Sequence, residues 1–283
     1  MKSQRDFKIL SGFILKIMAI IFMTLDHIGY FLQQYENLVV LTSIFRILGR
    51  LSFPLFIFLL VEGVIHTKNT RNYFIRLGLL AFAFFVGQLF YYFFVSNSNS
   101  GMLSPAIDLL LTASIVYFLK RKDKYSYFAL MPFAWALLTM IVRNYEYNHL
   151  TYLSWWPFFF RPDYTLFGPL LGIGFYYAND LAVLFLKSSE GTREWVGTTY
   201  ERTAKNIISA SFLVILSVLL AVIDKYGLHL VFSIPWQVYS LFAFIPILFY
   251  SGKRGYNAKW FQYGCYIYFP AHLILIFLIF SLI

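Results

Sequence analysis

A chain of 283 residues that is 60% hydrophobic and only 13% charged, with a mean hydropathy of +0.67, cannot cover its surface with polar side chains in water. Its single cysteine, Cys265, excludes an internal disulfide and any cysteine-based metal site, and its net charge of +10 fits the basic loops of a membrane protein better than a nucleic-acid surface. In lipid the backbone must satisfy its own hydrogen bonds, which leaves helices or a closed barrel, and apolar runs such as 212–223, broken only by Ser217, do not alternate as barrel strands do. The expected fold is therefore all-α: a polytopic transmembrane helical bundle forming one integral membrane domain over 1–283.

Apolar windows predict about nine spans, at 10–32, 42–65, 73–96, 104–119, 126–143, 164–186, 206–223, 231–250 and 263–283. The first carries Lys16, Asp26 and His27 and lacks a small-residue cleavage site, so it is expected to stay as a span. The fourth is short. The loop at 144–163 is rich in aromatics, from Tyr147 through Trp155 and Trp156 to Arg161, which suits either anchoring at the interface or a re-entrant lid. The loop at 187–205 is polar, and Ser251-Gly-Lys-Arg-Gly255 reads as a short basic turn.

Loop charges give an orientation. With the N-terminus in the cytoplasm, the inside segments hold Lys2, Arg5, Lys8, Lys68, Arg71, Arg76, Lys120, Arg121, Lys122, Lys124, Lys187, Arg193, Arg202, Lys205, Lys253, Arg254 and Lys259, which is 17 basic residues. The outside loops hold 3: Arg143, Arg161 and Lys225. One span more or fewer would invert every later loop, so the C-terminus is expected outside. The expected location is a membrane crossed several times, with the N-terminus on its cytoplasmic side.

An ionisable residue within a span costs at least about 2.5–3.5 kcal/mol on insertion scales and marks a candidate site. Asp26 and His27 fall in the outer half of the first span, Arg46 and Arg50 in the second, and Glu62 near its inner end. Gln88 and Asp108 fall in the outer parts of the third and fourth, and His272 near the middle of the last. Arg46 and Arg50 are four residues apart and share a helical face; Lys16 and His27, about three turns apart, also share one. Asp26 and His27 are adjacent and point about 100° apart, so Asp26 is expected to pair with Arg46 or Arg50 rather than orient His27. Such a pair is either a helix-to-helix tie or part of a site. His27 carries the stronger functional signal, since imidazole takes a proton near neutral pH. The five histidines lie at different depths, which argues against zinc. Intramembrane Asp, Arg and His suit an enzyme and a proton-coupled transporter or permease equally, and a structural subunit of a secretion or conjugation system is a third reading.

Several motifs in order resemble those of the TraX-like membrane proteins over nearly the whole chain. They are Leu15-Lys-Ile-Met-Ala-Ile-Ile-Phe-Met-Thr-Leu-Asp-His-Ile-Gly29, Arg46-Ile-Leu-Gly-Arg-Leu-Ser-Phe-Pro54, Glu62-Gly63, then Thr67, Tyr73, Arg76 and Gln88. Asp163-Tyr164 with Gly168, Tyr250-x-Gly-Lys-Arg-Gly255 and Tyr268-Phe-Pro-Ala-His272-Leu273 follow. Where the family often carries an Asn near the start of the fourth span, this chain offers Asp108 or, from the preceding loop, Asn99.

The resemblance implies a transmembrane acyltransferase that moves an acetyl group from cytoplasmic acetyl-CoA, or another acyl-CoA, to the amine or hydroxyl of an exported or membrane-associated acceptor: a pilin, a peptide or a glycan. No metal and no nucleic acid are implied; membrane lipid is the surroundings. In that scheme His27, Asp26, Arg50 and Arg46 form the catalytic group, with His27 as base and Arg50 or Gln88 as oxyanion donor. Lys68, Arg76, Lys253 and Arg254 would meet the phosphates of the donor, or serve the inside-loop charge bias alone, and Tyr268 and His272 would line the path of its arm or act as a second acid. Gln88, Asp108, Asp163, Tyr164 and Glu62 are the candidate acceptor-binding residues.

Overall fold

A computed structural model of the chain describes residues 10–94, 105–156, 158–188, 190–226 and 236–282. Asn99, His229 and the basic residues Lys2, Arg5 and Lys8 lie outside these, as do parts of the predicted third, fourth and eighth spans and the last residue of the ninth.

The described residues are helical. They contain α1 (Gly12–Leu32), α2 (Val39–Gly49), α3 (Ser52–His66), α4 (Thr70–Phe94), α5 (Pro105–Arg121), α6 (Leu130–His149), α7 (Phe167–Ser188), α8 (Thr199–Lys225), α9 (Phe244–Leu248) and α10 (Lys259–Leu282). Short 3-10 turns precede several of them, including Trp236–Ala243 before α9. Among the described residues the only strand-like pairing is the bridge between Leu10 and Tyr250.

Within the described residues, the nine apolar windows are mostly helix. Among the described residues, seven segments are long and apolar enough to cross a membrane: Gly12–Leu32, Glu36–His66, Thr70–Leu89, Lys124–His149, Phe167–Ser188, Thr199–Lys225 and Lys259–Leu282. The other two windows fold as shorter helix, α5 with 17 residues and Trp236–Leu248.

The second window is broken in two. Proline has no N–H and its ring collides with the carbonyl four residues back. Pro54 therefore cannot continue the ladder from Arg50, and α2 ends where Arg50 caps it. The break matters because it sets a buried arginine at a helix end.

α3 is the middle of the bundle. Phe53, Leu55, Ile57, Phe58, Leu60, Val61 and Val64 are all buried, packed against α1, α5, α7 and the 3-10 turn at Trp236–Ala243. α10 is its opposite: only His272 and Ile276 are buried, and it leans on α1 and α4. A helix that exposes apolar side chains nearly all round is suited to lipid.

The basic turn after α9 clasps the start of α1. Lys253 and Arg254 accept the N–H groups of Gly12 and Phe13 at 2.8 and 3.0 Å, which satisfies two donors at the helix N-terminus. The turn needs positive φ at Gly252 (+70°) and Gly255 (+72°), a conformation that favours glycine.

A candidate functional site between α1, α2 and α10

The site begins with a close approach. A Cβ built on Gly49 would stand 2.3 Å from the Asp26 Cβ and 2.6 Å from its Cα, so only glycine lets α2 lie this near α1. Asp26 is thereby set between two guanidinium groups. Arg46 Nη1 donates to Oδ2 at 2.9 Å, and Arg50 Nη2 lies 2.5 Å from both carboxylate oxygens. The side chains are 3–14% exposed, so the charges pair with little help from water. As the spacing predicts, Asp26 pairs with the arginines and leaves its neighbour His27 free for another partner.

That partner is His272, on α10. Its Nε2 is 2.9 Å from His27 Nδ1, and its Nδ1 is 2.9 Å from the carbonyl of Tyr268. The protons follow from the partners. A carbonyl only accepts, so His272 Nδ1 carries the hydrogen; neutral His272 then accepts at Nε2, and His27 must donate from Nδ1. The lone pair of His27 is left on Nε2. One turn along the same seam, Thr24 donates to Ile20 O at 2.9 Å, so its hydroxyl receives the Tyr268 hydroxyl proton across 2.8 Å. The seam between α1 and α10 thus carries these two polar crossings.

Other candidates are placed as follows. Asp108, fully buried in the first turn of α5, accepts the backbone N–H of Asp163 at 2.7 Å and of Tyr164 at 3.2 Å. It fixes the segment leading into α7. Arg143 donates to the Asp163 carbonyl at 3.0 Å, and the Tyr164 ring stacks on Phe53 at 3.7 Å. Immediately after, Thr165 holds φ +47°, an uncommon conformation for a β-branched residue, just before α7 begins. Burial pushes the Asp163 carboxyl above its ordinary range, against the pull of Arg143, Arg50 and Arg46. Asp163 therefore belongs electrostatically to the Asp26 cluster.

Glu62 stands apart from that cluster. It makes a short ion pair with Lys205 of α8 and a hydrogen bond with the Tyr250 hydroxyl, near the end of the bundle where α1 begins. Gln88 is buried on α4. Lys68, Lys253 and Arg254 are exposed, and the carbonyls of the last two hold α1. Arg76 hydrogen-bonds Tyr266 and lies over the Tyr73 ring at 6.0 Å.

Two residues gain weight from the structure. Lys16 shares its electrostatic neighbourhood with Arg76 and Arg254, gathering three cations near the start of α1. Its sequence signal was the face it shares with His27. Gln237, on the 3-10 turn before α9, is buried and accepts from Arg50 Nη1 at 3.4 Å. Its signal was a lone amide in an apolar window.

The aromatic loop before α7 is pinned. Arg161, 3% exposed, forks onto Glu146 at 2.8 and 3.1 Å and also donates to the carbonyls of Leu153 and Trp156. Trp156 stacks on Trp135 at 4.3 Å and donates to Thr139. This segment is anchored to α6 at Glu146, Trp135 and Thr139, and its Phe159 and Phe160 rings pack on Phe85 of α4.

Among the described residues, a helical bundle with seven membrane-length segments and a buried Asp–Arg–His cluster defines a multi-pass membrane protein with an intramembrane ionisable site. The chain belongs to the TraX family: residues 11–185 match the family described as TraX protein. Over 138 residues it is 35% identical to the probable fimbrial assembly protein FimC, serogroup H1, of Dichelobacter nodosus, covering 47% of this chain and 46% of that relative. The chain therefore spans about half the length of the curated relative it matches. No solved structure matches it. The family match takes in Asp26, His27, Arg46, Arg50 and Asp163, while Gln237, Tyr268 and His272 lie beyond it.

Proposed function

We propose that this protein is a membrane acyltransferase that moves an acetyl group from acetyl-CoA to the amine or hydroxyl of an exported or membrane-associated acceptor. The observation that carries the reading is the histidine pair. His272, fixed by the Tyr268 carbonyl, holds His27 in the tautomer whose Nε2 lone pair is available as a base. The guanidinium groups of Arg46 and Arg50 stand in the same cluster, through Asp26, where negative charge develops in acyl transfer.

In this reading the N-terminus of the chain is cytoplasmic and the membrane is the bacterial plasma membrane. Lys16, Arg76 and Arg254 face the phosphates of the donor at the inner end, and the thioester arm runs along the seam of α1 and α10. The acceptor nitrogen or oxygen attacks the thioester carbon as His27 Nε2 takes its proton. The carbon–sulfur bond then breaks, and the departing thiolate receives that proton. Asp163 and Tyr164 border the acceptor side. A fimbrial subunit is the acceptor class that the name of the similar FimC favours.

The test is purified protein in proteoliposomes with [14C]acetyl-CoA and peptides representing exported N-termini. Label recovered on a peptide, increasing with protein, supports the enzyme. Flux of an unmodified solute without label transfer overturns it in favour of a carrier.

A further inference from the structure

The cluster around Asp26 has more donors than acceptors. One carboxylate faces two guanidinium groups, and the buried Nε atoms of both Arg46 and Arg50 have no hydrogen-bond partner. Gln237 adds to this surplus. Its Oε1 accepts from Arg50, which fixes the amide orientation, since the reverse would point an N–H2 group at a cation. Its Nε2 is then a buried donor without a partner, on a residue only 5% exposed. An orphaned amide in a lipid-embedded bundle is expensive, and a surplus of donors calls for an oxygen-rich ligand.

We infer that Gln237 Nε2 donates to the acyl carbonyl oxygen and stabilises the oxyanion formed when the acceptor attacks. The inference rests on the acyl-transfer reading above and adds a residue outside the part of the chain that matches the family. When the nucleophile bonds to the carbonyl carbon, the carbon–oxygen π pair moves onto oxygen, and the Gln237 N–H strengthens its bond to that charge. When the pair returns, the thiolate leaves. Arg50 positions the amide through Oε1 while its other nitrogen holds Asp26.

The experiment compares the full chain with its Gln237→Glu and Gln237→Met variants in nanodiscs, using labelled acetyl-CoA and an acceptor peptide. Glu keeps an oxygen for Arg50 and the side-chain shape but has no N–H; Met keeps the approximate volume and has neither. Both are expected to match the wild-type thermal unfolding to within a few degrees. Both are expected to lose about 100- to 1,000-fold in kcat with the KM for acetyl-CoA changed less than threefold. A folded Gln237→Glu protein with wild-type kcat would overturn the role of Gln237 and leave the acyltransferase reading standing. A wild-type chain with no label transfer would overturn both.

Discussion

His27 and His272 meet across the seam of α1 and α10, with 2.9 Å between Nδ1 and Nε2, and the proton order of that pair is dictated from outside it by the Tyr268 carbonyl. This is the logic of a positioned base: one ring is held by a fixed acceptor, so the other can present a lone pair.

Removing the positioning ring should therefore slow the reaction without abolishing the protein. His272→Leu is expected to lower kcat by about 10- to 100-fold, the usual effect of losing a group that orients another ligand or base. His272→Gln, whose side-chain oxygen can accept from His27 Nδ1, should recover part of it. Steady-state transfer rates at saturating acetyl-CoA would check both.

The close approach at Gly49 makes a stability prediction. Gly49→Ala sets a methyl against the backbone of Asp26, with no flexible atom to yield, and should destabilise by about 1–3 kcal/mol or more. Gly78→Ala, where a new Cβ meets nothing within 4 Å, should be neutral or stabilising by about 0.5–1 kcal/mol. Thermal unfolding in detergent would compare the two.

Asp26 neutralises a pair of buried guanidinium groups. Asp26→Asn removes the carboxylate that pairs directly with both, an expected loss of about 3–5 kcal/mol, read as a fall in unfolding midpoint. Arg50→Lys keeps the charge but not the reach to Asp26 and Gln237 together, so it should retain more stability than activity.

Lys16, Arg76 and Arg254 make a prediction of a different kind. If they hold the phosphates of the donor, Lys16→Gln should raise the KM for acetyl-CoA several-fold with kcat nearly unchanged, because it removes binding common to ground and transition states. A titration of initial rates against acetyl-CoA measures this.

Much of the bundle was legible because lipid imposes so few solutions. The described parts of the nine apolar windows are mostly helix, since a backbone without water must bond to itself. The pairing of Asp26 with Arg46 and Arg50 was also readable, from depth and four-residue spacing. The contact of His27 with His272 was not, because it joins residues 245 apart and depends on where α10 packs. Asp108 and Glu62 carried the same intramembrane signal as Asp26, yet Asp108 fixes the Asp163–Tyr164 backbone and Glu62 ties α3 to α8. Charge at depth identifies a constrained residue; only packing tells which constraint it serves. The break between α2 and α3 was written in Pro54, but its use, to bring Arg50 onto Asp26 and Gln237, appears only in three dimensions.

The central claim is that His27 is the base, and His27→Ala measures it most directly. In nanodiscs with labelled acetyl-CoA and an acceptor peptide, the variant should insert, unfold near the wild-type temperature and transfer no label above background. A correctly inserted His27→Ala protein that transfers acetyl at the wild-type rate would contradict the account.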